Sequence, residues 1–375
     1  MHSPQLASQR LPAPDLIRGI ALVGIGAENI LSFNAANEHI ALFAASFPEP
    51  VSQALLSVFM LFFRGKFYPV FALLFGFATA FSFAQRGHKP FFRRSLFIAL
   101  LGLTQLVFIW NGDVLLQYAL LGLLLFSLKD LPDRILLSLS AILFLLSFLP
   151  AGFLPPNPTV FSGIPPEVYA KGSFLTLLRY RLPEFLHGLA SPEFLLFLAR
   201  IFAFMILGFF LGRNQKFKQW LQFSTVSRYF IIGLLSFMVC GALLQFSGLR
   251  GEAIRPAHLE VIKAIILALF FLANVSLFVL VPLLLFLRFP AMRFWQLYIA
   301  AGRLTLSHYL FQNLLFSFVF YGYGLRFYLQ VPPLQLWLAY GLLMLMQALV
   351  SVWWLRNFKL GPVEKALRKF AYDHK

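Results

Sequence analysis

The chain has 375 residues, 60% of them hydrophobic and 12% charged, more apolar surface than one water-soluble core can enclose, so the composition implies a bilayer as solvent. Its formal charge of +17 would suggest nucleic acid for a soluble protein; in a membrane chain basic residues flank the spans and set their orientation, which argues for lipid and against nucleic acid as the partner. The single cysteine, Cys240, lies in an apolar stretch, leaving disulfides, thiolate-bound metal and dithiol chemistry without material.

In chain order, residues 1–15 form a Pro-containing N-terminal segment expected in the cytoplasm. The first span follows from about Leu16 to Phe33, with Asp15 placed to cap it. Glu28 and Asn29 interrupt its apolar run, which a cleavable signal peptide would avoid, so it is read as a retained helix. The loop to Pro50 has no lysine or arginine and is expected outside. Gln53–Phe63 is a short apolar stretch ending at Arg64-Gly65-Lys66, expected to be interfacial or re-entrant, and Phe67–Phe83 is the second span. Ser95–Trp110 and Val114–Leu128 are joined only by Asn111-Gly112-Asp113, a tight hairpin that places Asp113 at the external face. Ile135–Leu149 crosses outward. Eight prolines between Pro150 and Pro192 then exclude a continuous helix. Within this external segment (150–192), Phe174–Leu189 reads as an interfacial amphipathic helix. Spans at Phe194–Leu211, Tyr229–Phe246, Leu259–Leu287, within Phe294–Phe320, and at Leu334–Trp354 complete about ten, before a basic tail over 356–375. The fold class is therefore all-α, a polytopic transmembrane bundle forming a single integral membrane domain over 1–375. Both termini are cytoplasmic, because that orientation puts most of the 31 lysines and arginines inside.

Ionisable or strongly polar groups at membrane depth cost about 2.5 to 3.5 kcal/mol each on insertion scales, so each marks either a structural partner or a functional site. Thr305, His308, Tyr309, Gln312 and Asn313 fall at i, i+3, i+4, i+7 and i+8, a polar stripe on one helical face. Such a stripe either glues the bundle by interhelical hydrogen bonds or lines a polar cavity, in which His308 could act as a base or proton relay. Glu28 and Asn29 pose the same alternative. Asp113 either caps the helix that begins at Val114 or serves as an acid at an external pocket. Arg64 and Lys66 sit on the side that the positive-inside tendency leaves poor in cations; they either snorkel or bind a lipid phosphate or another anion. No nucleotide-binding loop, zinc-protease helix motif, serine-hydrolase elbow or metal-spaced cluster of histidine and cysteine occurs, so no metal site is expected.

Several stretches together resemble the bacterial YeiB-like family of polytopic membrane proteins, whose C-terminal half is a domain of unknown function. These are the opening Asp15-Leu16-Ile17-Arg18-Gly19-Ile20-Ala21 with Asn29, Lys66-Phe67 with Phe71-Ala72-Leu73-Leu74-Phe75-Gly76, the hairpin Trp110-Asn111-Gly112-Asp113-Val114-Leu115, the late signature Gly302-Arg303-Leu304-Thr305-Leu306-Ser307-His308-Tyr309, and Phe358-Lys359-Leu360-Gly361-Pro362. The late signature often carries asparagine where this chain has His308. The Asp-x-x-Arg-Gly-x-Ala opening is also similar to that of the membrane acyltransferases, in many of which a histidine near the outer end of the first span is essential; Asn29 stands near that position. The resemblance implies a multi-pass protein of the bacterial inner membrane that handles an acyl group or an amphipathic lipid, sugar or small-molecule substrate at the external face. It needs no resident cofactor, with acyl-coenzyme A as the conceivable donor. Asp113, Glu28 and His308 are then the acid-base candidates, and Asn29, Arg64, Lys66, Arg303, Thr305, Tyr309, Gln312 and Asn313 the substrate-binding ones. Transport of an amphipathic metabolite or lipid is the alternative, and a non-catalytic scaffold the third reading.

Overall fold

Alternation of long apolar runs with short polar turns folds into helices throughout. The computed structural model describes residues 12–86, 88–150, 153–154, 163–189, 191–214, 221–246 and 256–372. Among them are sixteen α-helices: α1 (Pro12–Asn34), α2 (Ile40–Ser46), α3 (Pro50–Phe62), α4 (Tyr68–Arg86), α5 (His88–Phe108), α6 (Leu115–Ser127), α7 (Asp133–Leu146), α8 (Pro166–Lys171), α9 (Phe174–Leu189), α10 (Pro192–Arg213), α11 (Phe223–Phe246), α12 (Ala257–Arg288), α13 (Trp295–Arg303), α14 (Thr305–Phe320), α15 (Pro333–Asn357) and α16 (Pro362–Tyr372). Lys216, Lys218, Arg250 and Arg255, which count among the 31 lysines and arginines, lie outside the described residues.

Six helices, α1, α5, α10, α11, α12 and α15, are long and apolar enough to cross a bilayer unaided, and α3, α4 over Tyr68–Phe83, and α6 are shorter apolar ones. Their burial is inverted relative to a soluble protein. On α15, Leu338, Leu342, Leu345 and Leu349 point outward while Gln347 and Ser351 are buried, as expected where hydrocarbon surrounds the bundle and polar groups must find partners within it. This is a membrane protein. Of the spans, α1 is the most enclosed and α11 the most peripheral: 67% of the apolar window of α1 is buried, against 11% for α11.

Small residues set the closest crossings. A side chain at Gly208 on α10 would meet the Leu73 carbonyl of α4, and one at Gly302 on α13 would meet the Asp15 carbonyl of α1. With only hydrogen there, backbones approach closely enough for dispersion to hold helices that lipid cannot drive together.

Two spans are broken. The ninth, expected as one helix within Phe294–Phe320, divides at Leu304, whose φ of −112° and ψ of 22° leave the α-region. The freed N–H groups of Leu306 and Ser307 donate to Glu364 Oε1 at 2.8 and 3.1 Å, and Ser307 Oγ donates to Glu364 Oε2 at 2.5 Å. A carboxylate from α16 thus caps α14. The second break lies at Arg64-Gly65-Lys66, between α3 and α4. Gly65, at φ +73°, takes the left-handed conformation that favours glycine.

Candidate functional site

The polar side chains singled out by spacing separate into two groups once the helices pack. His308 and Gln312 turn to α15: His308 Nε2 lies 2.6 Å from Ser351 Oγ, and Gln312 Nε2 donates to Gln347 Oε1 at 2.8 Å. These are interhelical hydrogen bonds of the gluing kind. Tyr309 and Asn313 turn instead to the bundle interior. Asn29 Nδ2 donates to Asn313 Oδ1 at 3.0 Å, and the Tyr309 hydroxyl donates to Asp113 Oδ1 at 2.6 Å. Thr305 bonds locally, its hydroxyl to the Gly302 carbonyl at 2.6 Å, across the break at Leu304.

Asp113 does both things its position allows. Its Oδ2 accepts the Leu115 N–H at 2.9 Å, at the start of α6, while Oδ1 holds Tyr309. The carboxyl is only 1% exposed. In the turn between α5 and α6, burial pushes its pKa up to about 7, against the opposing pull of the Tyr309 hydroxyl and of backbone N–H groups at the start of α6. Asp113 is thus enclosed by protein in the turn between α5 and α6.

Beside Tyr309 opens a cavity of about 360 Å³. Arg18, Arg94 and Arg303 line one end, with Glu364 beside them; Phe71, Leu74, Phe75 and Ile98 form apolar walls; Val114, Tyr118 and Tyr309 line the other end. Arg18 and Ile25, both lining it, are seven residues apart on α1, so the cavity follows that helix for about 10 Å. Arg18 pairs with Asp15 at 2.9 Å, and Arg94 sits over the Phe75 ring. Arg303 Nη2 donates to the Lys359 carbonyl at 3.2 Å, while its Nε is buried without an acceptor. On the predicted orientation this is the cytoplasmic end.

Glu28 and the Arg64–Lys66 turn meet at the second break. Glu28 Oε1 accepts the Gly65 N–H at 2.9 Å, and Glu28 precedes the end of α1 by six residues. The turn therefore lies level with Glu28, roughly 9 Å along the helix axis from that end. Arg64 Nη2 reaches Asn37 Oδ1 at 3.2 Å, and Lys66 Nζ donates to the Arg64 carbonyl at 2.9 Å.

Four residues lie outside the candidate site residues read from periodic stripes and ionisable clusters. Asn274, midway along α12, donates to the Leu61 carbonyl at 3.1 Å and satisfies the open end of α3. Arg200, within α10, donates to Ser147 Oγ at 3.2 Å, to the Ser147 carbonyl at 2.7 Å and to the Tyr68 hydroxyl at 3.3 Å. Tyr118 donates to the Tyr68 carbonyl at 2.6 Å, tying the second break to the hairpin of Asp113. Each of these is a polar group inside an apolar run, the one signal that singles them out. Glu184 on α9 is the fourth. It hydrogen-bonds Asn111, two residues before Asp113, and burial, together with repulsion from Glu38, pushes its carboxyl up to about 7.

Residues 211–374 match a family model described as "Protein of unknown function (DUF418)". Over nearly its whole length the chain is 26% identical to the uncharacterized protein YeiB of Escherichia coli (strain K12), covering 93% of each. The YeiB-like resemblance holds. The uncharacterized protein YxaH of Bacillus subtilis (strain 168) is 24% identical, over 98% of this chain and 96% of its own. An uncharacterized 39.9 kDa protein from the amylase 3′ region of Bacillus acidopullulyticus is 26% identical, over 99% and 96%. No solved structure matches. None of these names an activity, so the functional reading rests on the chain's own residues. Among the described residues no group of three or more histidine, cysteine, aspartate and glutamate side chains has the geometry to hold a metal ion.

Proposed function

We propose that the protein is an acyltransferase-like enzyme of the bacterial inner membrane that passes an acyl group from an activated donor to a hydroxyl acceptor. One observation carries this reading: a cavity with arginines at one end and apolar walls terminates at Tyr309, whose hydroxyl is held by the buried carboxyl of Asp113. An anionic headgroup suits the arginines, and an alkyl chain suits the walls. Acyl-coenzyme A combines both.

In this scheme the acceptor hydroxyl attacks the thioester carbonyl, and its proton passes through Tyr309 to Asp113. The C–S bond then breaks, and the same pair returns the proton to the leaving sulfur. A carboxyl with a pKa near 7 suits both directions of transfer, since neither protonation state is strongly favoured at neutral pH. The histidine of the wider superfamily is replaced near its position by Asn29, whose amide bonds Asn313 and so orients the residue one turn beyond Tyr309.

The test is thiol release from palmitoyl-coenzyme A by detergent-purified protein, with and without candidate hydroxyl acceptors. The expected outcome is turnover that Asp113→Asn lowers by about 10² to 10⁴ while donor binding, measured by calorimetry, persists. Donor binding absent from the wild type, or turnover undiminished in Asp113→Asn, overturns the reading.

Transport of an amphipathic anion is a second reading, favoured by the broken α3–α4 span with Glu28 at its turn, because interrupted helices frame the substrate sites of many transporters. Movement of substrate into proteoliposomes without thiol release would select it.

A further inference from the structure

The second break collects more positive charge than it neutralises. Arg64 and Lys66 come from the α3–α4 turn and Arg200 from α10, and the acidic group beside them is Glu28. That carboxylate already accepts the Gly65 N–H, and no aspartate or glutamate oxygen lies within 4 Å of any of the three cations among the described residues. Lys66 and Arg200 instead share an aromatic ring: Lys66 Nζ lies 5.2 Å and the Arg200 guanidinium 5.1 Å from the Phe271 centroid, and Arg200 also lies 4.1 Å from that of Phe148. Ring faces soften the burial of cations but do not cancel their mutual repulsion. Like charges gathered among aromatic side chains call for a counter-charge.

Donors are left over as well. An ammonium has three N–H groups, and Lys66 spends one, on the Arg64 carbonyl; a guanidinium has five, and Arg200 spends three. Glu28 Oε2 is buried with no donor. Beside Arg200 opens a second cavity, of about 260 Å³, walled by Phe148, Leu149, Leu196 and Phe197 with Ser147 at its edge. Glu193 also lines it, exposed at the start of α10 and seven residues, about 10 Å, along the helix from Arg200.

We infer that Lys66, Arg200 and Arg64 form a binding site for the phosphate ester of an amphiphile, with its hydrocarbon chain along the Phe148–Phe197 wall. The forked N–H groups of Arg200 match two oxygens of a phosphate, and Lys66 supplies a point charge with free donors. A ligand that also carries a hydroxyl satisfies Glu28 Oε2, which makes a glycerol phosphate headgroup the best-matched chemistry. This site uses other residues than the acyl-transfer reading and stands or falls separately from it.

The test is thermal unfolding of the full-length protein in dodecyl maltoside, followed by tryptophan fluorescence, during titration with dioleoylphosphatidylglycerol, dioleoylphosphatidylcholine, glycerol 3-phosphate or inorganic phosphate. The expected result is a saturable rise in Tm with phosphatidylglycerol and none with phosphatidylcholine. Apparent affinity should fall at least tenfold in Lys66→Gln and in Arg200→Gln, with Lys66→Arg close to wild type. An equal response to glycerol 3-phosphate supports the same phosphate site with a soluble source; a response to the lipid alone supports the amphiphile. Because Lys66→Gln removes one of several crowded like charges, its Tm without lipid should be no lower than that of the wild type. A lower unliganded Tm with an unchanged phosphatidylglycerol titration, or identical responses to the anionic and the neutral lipid, overturns the inference.

Discussion

Glu184 shows how a single side chain ties α9 to the α5–α6 hairpin. It sits one residue after Pro183, inside α9, and its contact with Asn111 joins α9 to the α5–α6 turn. Because burial raises its pKa to about 7 from the usual carboxyl value, the protonated form is favoured in the folded state. The contribution is thus fully present below about pH 4.5 and is lost as pH rises through 7. Thermal unfolding from pH 5 to 8.5 should show the wild type losing Tm across neutrality more steeply than Glu184→Gln; parallel profiles would refute the assignment. The residues legible in advance were those in periodic or clustered patterns: the stripe from Thr305 to Asn313, Glu28 with Asn29, and Asp113. Their partners were not. His308 bonds Ser351 and Tyr309 bonds Asp113, and no spacing within one helix says which neighbour will face it.

Whole elements were read more securely than single contacts, because apolar run length alone nearly fixes a span. The helix over Phe174–Leu189 forms with those bounds. What run length conceals is interruption. One span is read within Phe294–Phe320, yet a break at Leu304 is sustained by Glu364, which lies 60 positions further along the chain; a carboxylate so distant has no local signature. The α4–α10 crossing, in contrast, has one. Gly208 and Gly212 fall four apart on α10 and face the Leu73 and Phe77 carbonyls, the small-xxx-small pattern of close helix pairs. Gly208→Leu should force α10 off α4 and cost several kcal/mol, beyond the 1 to 3 typical of overpacking, because backbone rather than a flexible side chain stands in the way. The readout is the yield of monodisperse protein on size-exclusion chromatography in detergent, where recovery equal to wild type would contradict it.

At the scale of the molecule, two polar sites occupy different parts of one bundle: the arginine-lined cavity near the N-terminal end of α1, and the phosphate site nearer the C-terminal end. Their sidedness rests on charge distribution and is open to direct measurement. Cys240 is the single cysteine, so Cys240→Ser supplies a thiol-free background. In it, Lys171→Cys on α8 should react with an impermeant maleimide in intact cells, and Lys365→Cys on α16 only after lysis; the reverse pattern would invert the orientation.

The sequence by itself determined the solvent, the helical class, the approximate spans and the side chains too polar for lipid to tolerate, because transfer into hydrocarbon is a local, nearly additive property of each segment. Tertiary structure decided which of those groups meet. It pairs Tyr309 with Asp113, sets Gly65 on Glu28 and draws Arg200 to Lys66, since hydrogen bonds and charge pairs across a bundle depend on how helices far apart in sequence are rotated and crossed.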